Sequence, residues 1–227
     1  PLVLGSRQTM KITDISVRTF TYTTREALDR DGHAHPSEPR QAKMSLLTIT
    51  DEAGDQGHCF GNVQNLRPHV LEWVRHMLVG EDATYRERLW QTLAESQRLS
   101  LGQFTDKGLA VFDMALWDLA ARKANLPLYK FIGAYRDKVP AYGSTMCGDE
   151  LEGGLRTPED YAAFAEKLVG RGYRAIKLHT WNKPISWAPD AKMDARACAA
   201  VREAVGPDIT LMLDPYSCYS RVDALWL

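Results

Sequence analysis

Ala175-Ile176-Lys177-Leu178-His179 and, further on, Ile209-Thr210-Leu211-Met212-Leu213-Asp214 decide the fold. Each is a short apolar run that ends on residues able to do chemistry. Between them a helical pattern passes through Ala197, Val201 and Ala204 and stops at Gly206-Pro207. Upstream, Thr157 is placed to cap a helix, with Pro158 at its first position and Asp160 in its first turn. Tyr161, Phe164, Ala165 and Leu168 give that helix its buried face, and Gly170 and Gly172 end it. Before it, Val139–Ser144 reads as a short strand. Repeated strand–helix units with near-continuous apolar strands predict a parallel sheet with its helices outside.

Toward the N-terminus the rhythm changes near Lys138. Ile12, Ile15, Val17 and Phe20 open a strand, Met44–Thr50 forms a second, and Asp51-Glu52-Ala53-Gly54-Asp55 turns into a third that ends near Phe60. Asp/Gly turns between β-rich runs read as an antiparallel meander. The polar stretch Thr24–Ala42 is expected to be a long loop, either disordered or a lid. Helices are predicted over Pro68–Leu78, Tyr85–Leu99 and Asp106–Asn125. The last carries Leu109, Phe112, Ala115, Leu116, Leu119 and Ala120 on one stripe, closed by Asn125 and Pro127. The expected domains are thus an α+β unit over 10–137 and βα units over 138–227. Pro1–Thr9 read as a lead outside the fold.

Composition narrows the function. The 28 basic and 29 acidic residues of the 227-residue chain nearly cancel, for a net charge of −1. No basic footprint for nucleic acid or an anionic membrane results. No apolar run approaches the ~20 residues of a membrane span, and no signal-peptide pattern opens the chain. The four cysteines, Cys59, Cys147, Cys198 and Cys218, form no CxxC pair, which suits a reduced cytoplasmic protein.

In a (β/α)₈ barrel the active-site groups sit at the C-terminal ends of the strands. By that rule Lys177 and His179, two apart and therefore on one face, meet Asp214 from the next strand. A cation, an imidazole and a carboxylate around one mouth suit proton abstraction beside a metal-bound carboxylate. Each has an ordinary alternative: Asp214 as a cap, Lys177 as a solvated strand end, His179 as a surface or core histidine.

The segment Ala110-Val111-Phe112-Asp113-Met114-Ala115-Leu116-Trp117-Asp118-Leu119-Ala120, followed by Pro127-Leu128-Tyr129-Lys130 and Gly133, resembles the signature of the mandelate racemase/muconate-lactonizing enzyme family of the enolase superfamily. The likeness runs from about Met10 to the end of the chain. It implies an α+β cap domain followed by a (β/α) barrel, of which about the first three strands are present. Asp113, Trp117 and Asp118 are then structural. The family's Lys-x-Lys pair, whose second Lys is the base, is matched at Lys177 and departs at His179. An imidazole with a pKa of ~6.5 can still take a proton at neutral pH; alternatively the base lies further along the chain. Asp214 matches the family's first metal ligand, so Mg²⁺ is the implied cofactor. Tyr216 stands where Asn is common, and it joins His33, His35 and Trp187 as expected substrate contacts. His33 and His35 belong to the polar stretch that resembles the family's mobile cap loop, and Trp187 to a loop over Trp181–Lys192.

The resemblance implies a Mg²⁺-dependent acid-sugar dehydratase acting on a small sugar acid, cytoplasmic and homo-oligomeric at full length. Racemisation or epimerisation is the alternative within enzymes. A truncated, non-catalytic cap or oligomerisation fragment is the alternative outside them. The remaining metal ligands and a His-Asp pair are expected beyond Leu227, so the 227 residues alone are expected to be inactive.

Overall fold

The structure, a computed structural model, describes residues 9–28, 34–61 and 68–227. They fall into two compact units. The first holds residues up to Tyr22 and Gln41–Asp137, the second Thr23–Arg40 and Lys138–Leu227.

An antiparallel sheet of order β1-β2-β3 is formed by Ile12–Leu28, Ala34–Asp51 and Gln56–Gly61; its residues up to Tyr22 and from Gln41 onward belong to the first unit. The β2–β3 turn is held by Asp51, whose Oδ1 accepts from the backbone N–H groups of Ala53 and Asp55, each at 2.9 Å. Three helices cover the sheet's apolar face: α1 (Pro68–Leu78), α2 (Arg86–Ser96) and α3 (Asp106–Lys123). Helical spacing brings Val70, Val74 and Leu78 of α1 and Leu89 and Leu93 of α2 inward. The whole predicted stripe of α3 is buried with them against Ile12, Ile15, Leu47 and Ile49. Helix α3 lies so close to β3 that a Cβ on Gly57 would meet the Ala115 carbonyl oxygen at 2.2 Å and the Leu119 nitrogen at 2.4 Å. Only glycine fits there. Asp118 reinforces the contact, accepting from the His58 N–H at 2.8 Å while pairing with Arg122 at 2.7 Å. A short helix α4 (Leu128–Phe131) follows.

The second unit contains a parallel sheet of order β4-β5-β6, from Gly143–Ser144, Ala175–Leu178 and Thr210–Leu213. In register, Lys177 stands beside Met212 and Leu178 beside Leu213. Between strands run α5 (Pro158–Gly170) and α6 (Ala191–Val205), and α7 (Arg221–Trp226) follows β6. Thr157 and Asp160 form a reciprocal capping box on α5, and Asp190 caps α6. Ile176 and Leu178 are buried with Tyr161, Ala165 and Leu168 of α5 and Ala197 and Val201 of α6. The architecture is a cap with an antiparallel sheet followed by the first strands of a barrel.

Two expectations change. The described residues of Thr24–Ala42 are strand and not loop: β1 continues to Leu28 and β2 begins at Ala34. The run Thr19-Phe20-Thr21-Tyr22-Thr23-Thr24 explains the first arm, since β-branched and aromatic residues favour extended backbone. Val139–Ser144 shrinks to a two-residue strand, because Pro140 has no N–H to donate and Val139 is exposed. The lead Pro1–Thr9 lies, but for Thr9, outside the described residues.

Candidate active site

Lys177 is the last outward residue of β5, and His179 follows that strand's end at Leu178. Pleating sends Ile176 and Leu178 into the helical layer and leaves Lys177 and His179 on the other face. Asp214 follows β6, and its N–H donates to the Leu178 carbonyl at 2.9 Å, which extends the ladder by one step. The three side chains meet. Lys177 Nζ donates to Asp214 Oδ2 at 3.0 Å, and His179 Nδ1 lies 3.9 Å from that oxygen and 3.2 Å from the Asp214 carbonyl oxygen. A carbonyl only accepts, so this last contact requires a proton on Nδ1; in the neutral imidazole the lone pair is then on Nε2.

The Lys177–Asp214 pair sets the charges. Hydrogen bonding to Lys177 holds the Asp214 carboxyl below its ordinary range, against a smaller upward push from burial. Asp214 in turn raises Lys177, helped by Tyr142, whose ring lies 5.2 Å from Nζ. Lys177 is therefore an ammonium at neutral pH, unsuited to accept a proton in this state.

His179 is 8% exposed, and its backbone is fastened on both sides. Its N–H donates to Thr145 Oγ1 at 2.9 Å, and its carbonyl accepts from Tyr161 Oη at 2.6 Å. Tyr216 stacks on the imidazole with centroids 4.4 Å apart and planes 22° from parallel. The Cys147 thiol donates to the Tyr216 hydroxyl at 3.4 Å. Thr145, Tyr161, Tyr142 and Cys147 escaped the sequence reading. They reach the site from elements whose own patterns register only as strand or core.

The other expected contacts fare differently. His33 lies outside the described residues; for His35 the structure describes the backbone, in β2. Trp187 donates from Nε1 to Glu150 at 3.2 Å and packs on the buried Trp181 at 5.6 Å. It lines a cavity of about 450 Å³ with Pro189, Asp190, Val222 and Trp226. The loop from Trp181 is thus partly core, with Trp181 and Ala188 buried.

As a metal site the strand ends are incomplete. Among the described residues no group of three or more His, Cys, Asp or Glu is placed to hold a metal ion. Asp214 is a lone carboxylate with one oxygen on Lys177 and the other on the Tyr216 N–H. Mg²⁺ prefers six oxygen ligands, so these residues by themselves do not fit it. Among the described residues no helix is long and apolar enough to cross a membrane.

Comparison with known proteins agrees with this architecture. Residues 37–133 match the mandelate racemase/muconate lactonizing enzyme N-terminal domain, and residues 160–227 the enolase C-terminal domain-like family. The chain is similar to D-glucarate dehydratase from Agrobacterium tumefaciens, solved in complex with magnesium. Identity is 61% and the TM-score 0.89, over 96% of this chain and 57% of that one. A D-mannonate dehydratase of Caulobacter sp. (strain K31) is 35% identical over 78% of this chain and 48% of its own length. The L-talarate/galactarate dehydratase of Salmonella typhimurium is 32% identical over 71% of this chain and 38% of its own. The chain thus spans about half the length, or less, of these relatives, which are sugar-acid dehydratases. Its fold, its signature and both domain matches make it a member of the mandelate racemase/muconate lactonizing enzyme family of the enolase superfamily.

Proposed function

We infer that the chain contributes the cap and the proton-accepting strands of a sugar-acid dehydratase. The observation that carries this reading is the junction of His179, Lys177 and Asp214 at adjacent strand ends. The substrate is a small polyhydroxy carboxylate bearing a proton α to its carboxylate and a hydroxyl on the β carbon. His179, with its lone pair on Nε2, accepts the α-proton. The Lys177 ammonium lies beside it and offsets the negative charge that accumulates as the carbanion forms. Loss of the β-hydroxyl completes the dehydration, and delivery of a proton to the opposite face of the α carbon would give epimerisation instead. The family implies Mg²⁺; Asp214 is the one carboxylate these strands bring to it, and the remaining ligands must come from elsewhere. Trp187, His33 and His35 are assigned to the substrate wall, with residues 24–42 as its lid. A cytoplasmic homo-oligomer completes the reading.

The test uses the complete product of the open reading frame that contains residues 1–227. With Mg²⁺ and a panel of aldonic and aldaric acids, it is expected to form a 2-keto-3-deoxy acid and to exchange the substrate α-proton with solvent deuterium. His179→Asn is expected to lower both by roughly 10²–10⁴-fold, the usual contribution of a positioned base. Full exchange in that variant removes His179 from the reaction.

A further inference from the structure

The loop after β6 has a costly backbone. Tyr216 and Ser217 take φ of 51° and 58°, the left-handed region that side-chain-bearing residues avoid. Such conformations are costly and persist only where the surroundings enforce them. Here the surroundings do so at both ends. The Tyr216 N–H donates to Asp214 Oδ1 at 3.2 Å. Beyond it, Tyr219 donates to Oδ2 of Asp194, a fully buried carboxylate on α6. In between, the Tyr216 ring lies flat against His179, and its hydroxyl accepts from Cys147.

We propose that Tyr216 is a positioning residue for His179 and not a substrate contact. A hydrogen bond at Nδ1 restrains one edge of the imidazole, and stacking restrains its plane. A nearly parallel phenol ring 4.4 Å away blocks rotation about the Cβ–Cγ bond, because the imidazole would have to sweep through the phenol's face. The ring plane and the Nδ1–H tautomer are then fixed together. The strained loop is what brings the phenol over the imidazole: a relaxed turn after Asp214 would carry residue 216 elsewhere. This deepens the reading of His179 as the proton acceptor and rests on it for its catalytic meaning, although the stacking can be measured without it.

The first measurement is NMR of the complete gene product with labelled histidine, using His179→Gln to identify the His179 resonances. The His179 ring protons are expected well upfield of the other histidines, because they sit over an aromatic face, with nitrogen shifts of an Nδ1–H tautomer. Tyr216→Phe is expected to keep both signatures, and Tyr216→Leu to lose both. A His179 ring at ordinary shifts in the unsubstituted chain, or shifts unchanged by Tyr216→Leu, overturns the proposal. The second measurement is kinetic, on the complete gene product. Tyr216→Leu is expected to lower kcat at least tenfold with KM changed less than threefold, and Tyr216→Phe to restore most of kcat. A raised KM at unchanged kcat makes Tyr216 a substrate contact and overturns the positioning role. If His179 is not the base, His179→Asn retains activity while the NMR signatures stand, so the two failures are distinguishable.

Discussion

Two lysine–aspartate pairs, one in each unit, show what separates an ion pair that holds a fold from one that serves a site. In the first unit Lys123 of α3 reaches the β2–β3 turn, 2.6 Å from Asp51 and 2.9 Å from Asp55. The Asp51 side chain is 0% exposed and that of Lys123 14%. Asp51 accepts two backbone N–H groups besides the ammonium, so its lone pairs are occupied by protein. In the second unit Lys177 and Asp214 are 3.0 Å apart, but the Asp214 side chain is 41% exposed. Its carboxylate keeps a face toward solvent, where a ligand can approach. The same chemical pair is closed in one place and open in the other. Burial and the number of backbone donors make the difference.

That contrast can be broken by substitution. Lys123→Met strands the buried Asp51 carboxylate, and removing one partner of such a pair costs about 3–5 kcal/mol. Urea unfolding at pH 7 is expected to show a loss of that size. For Asp51, burial pushes the carboxyl up, but the Lys123 and backbone hydrogen bonds outweigh it and hold the folded value low. A depressed carboxyl contributes stability above its unfolded pKa, about 3.9, and loses it as pH falls through the folded value. The variant's deficit is therefore expected to shrink below about pH 4. A loss under 1 kcal/mol would mean the pair is as open as its counterpart.

Lys177→Met is expected to do the reverse. With Asp214 partly exposed and solvent-screened, stability changes by less than about 1 kcal/mol. The rate of α-proton exchange in the complete gene product is expected to fall roughly 10²–10³-fold, typical for removing one electrostatic stabiliser. Equal losses of stability and rate would erase the distinction between the two pairs.

Asp194 sharpens the comparison from a third side, being a buried carboxylate with no cationic partner among the described residues. Its Oδ2 takes the Tyr219 hydroxyl, and its Oδ1 has no hydrogen-bond partner among them. Burial pushes its carboxyl up, and the Tyr219 hydrogen bond offsets this only in part. A raised carboxyl contributes stability below its unfolded pKa and loses it as pH rises through the folded value. Asp194→Asn is expected to stabilise the chain by about 1 kcal/mol at pH 8, with a smaller effect at pH 4, by thermal melts across that range. Destabilisation at pH 8 would mean that the anion itself is needed.

Much of this was legible in the sequence, for physical reasons that also explain what was not. Lys177, His179 and Asp214 stood out because strand pleating and parallel order convert spacing directly into a shared face. The stripe of α3 was equally clear, since its burial follows helical period alone. The hairpin formed by β1 and β2 was hidden by Asp, Pro and His residues that read as loop, while the Thr-rich arm before them carried the stronger signal. Thr145 and Tyr161 were invisible because they grip His179 by its backbone, which leaves no trace in residue spacing. Tyr216 was noticed as a substrate contact, while its stacking on His179 was not foreseen. Its place over the imidazole depends on a left-handed turn that nothing in Asp214-Pro215-Tyr216-Ser217 announces by composition.

The close packing at Gly57 bears on the order in which the chain acquires structure. The meander is synthesised first, but the surface it needs arrives only with Ala115 and Leu119 of α3. About 60 residues separate β3 from that surface, which at 5–20 residues per second is a wait of roughly 3–12 s on the ribosome. Through that interval Ile12, Leu47 and Ile49 lack their final cover. The βα units after Lys138 carry a shorter delay, because α5 precedes β5, and α6, which completes its cover with Ala197 and Val201, is the next helix after it. The cap strands thus keep apolar surface uncovered for longer than β5 does, until α3 has been made.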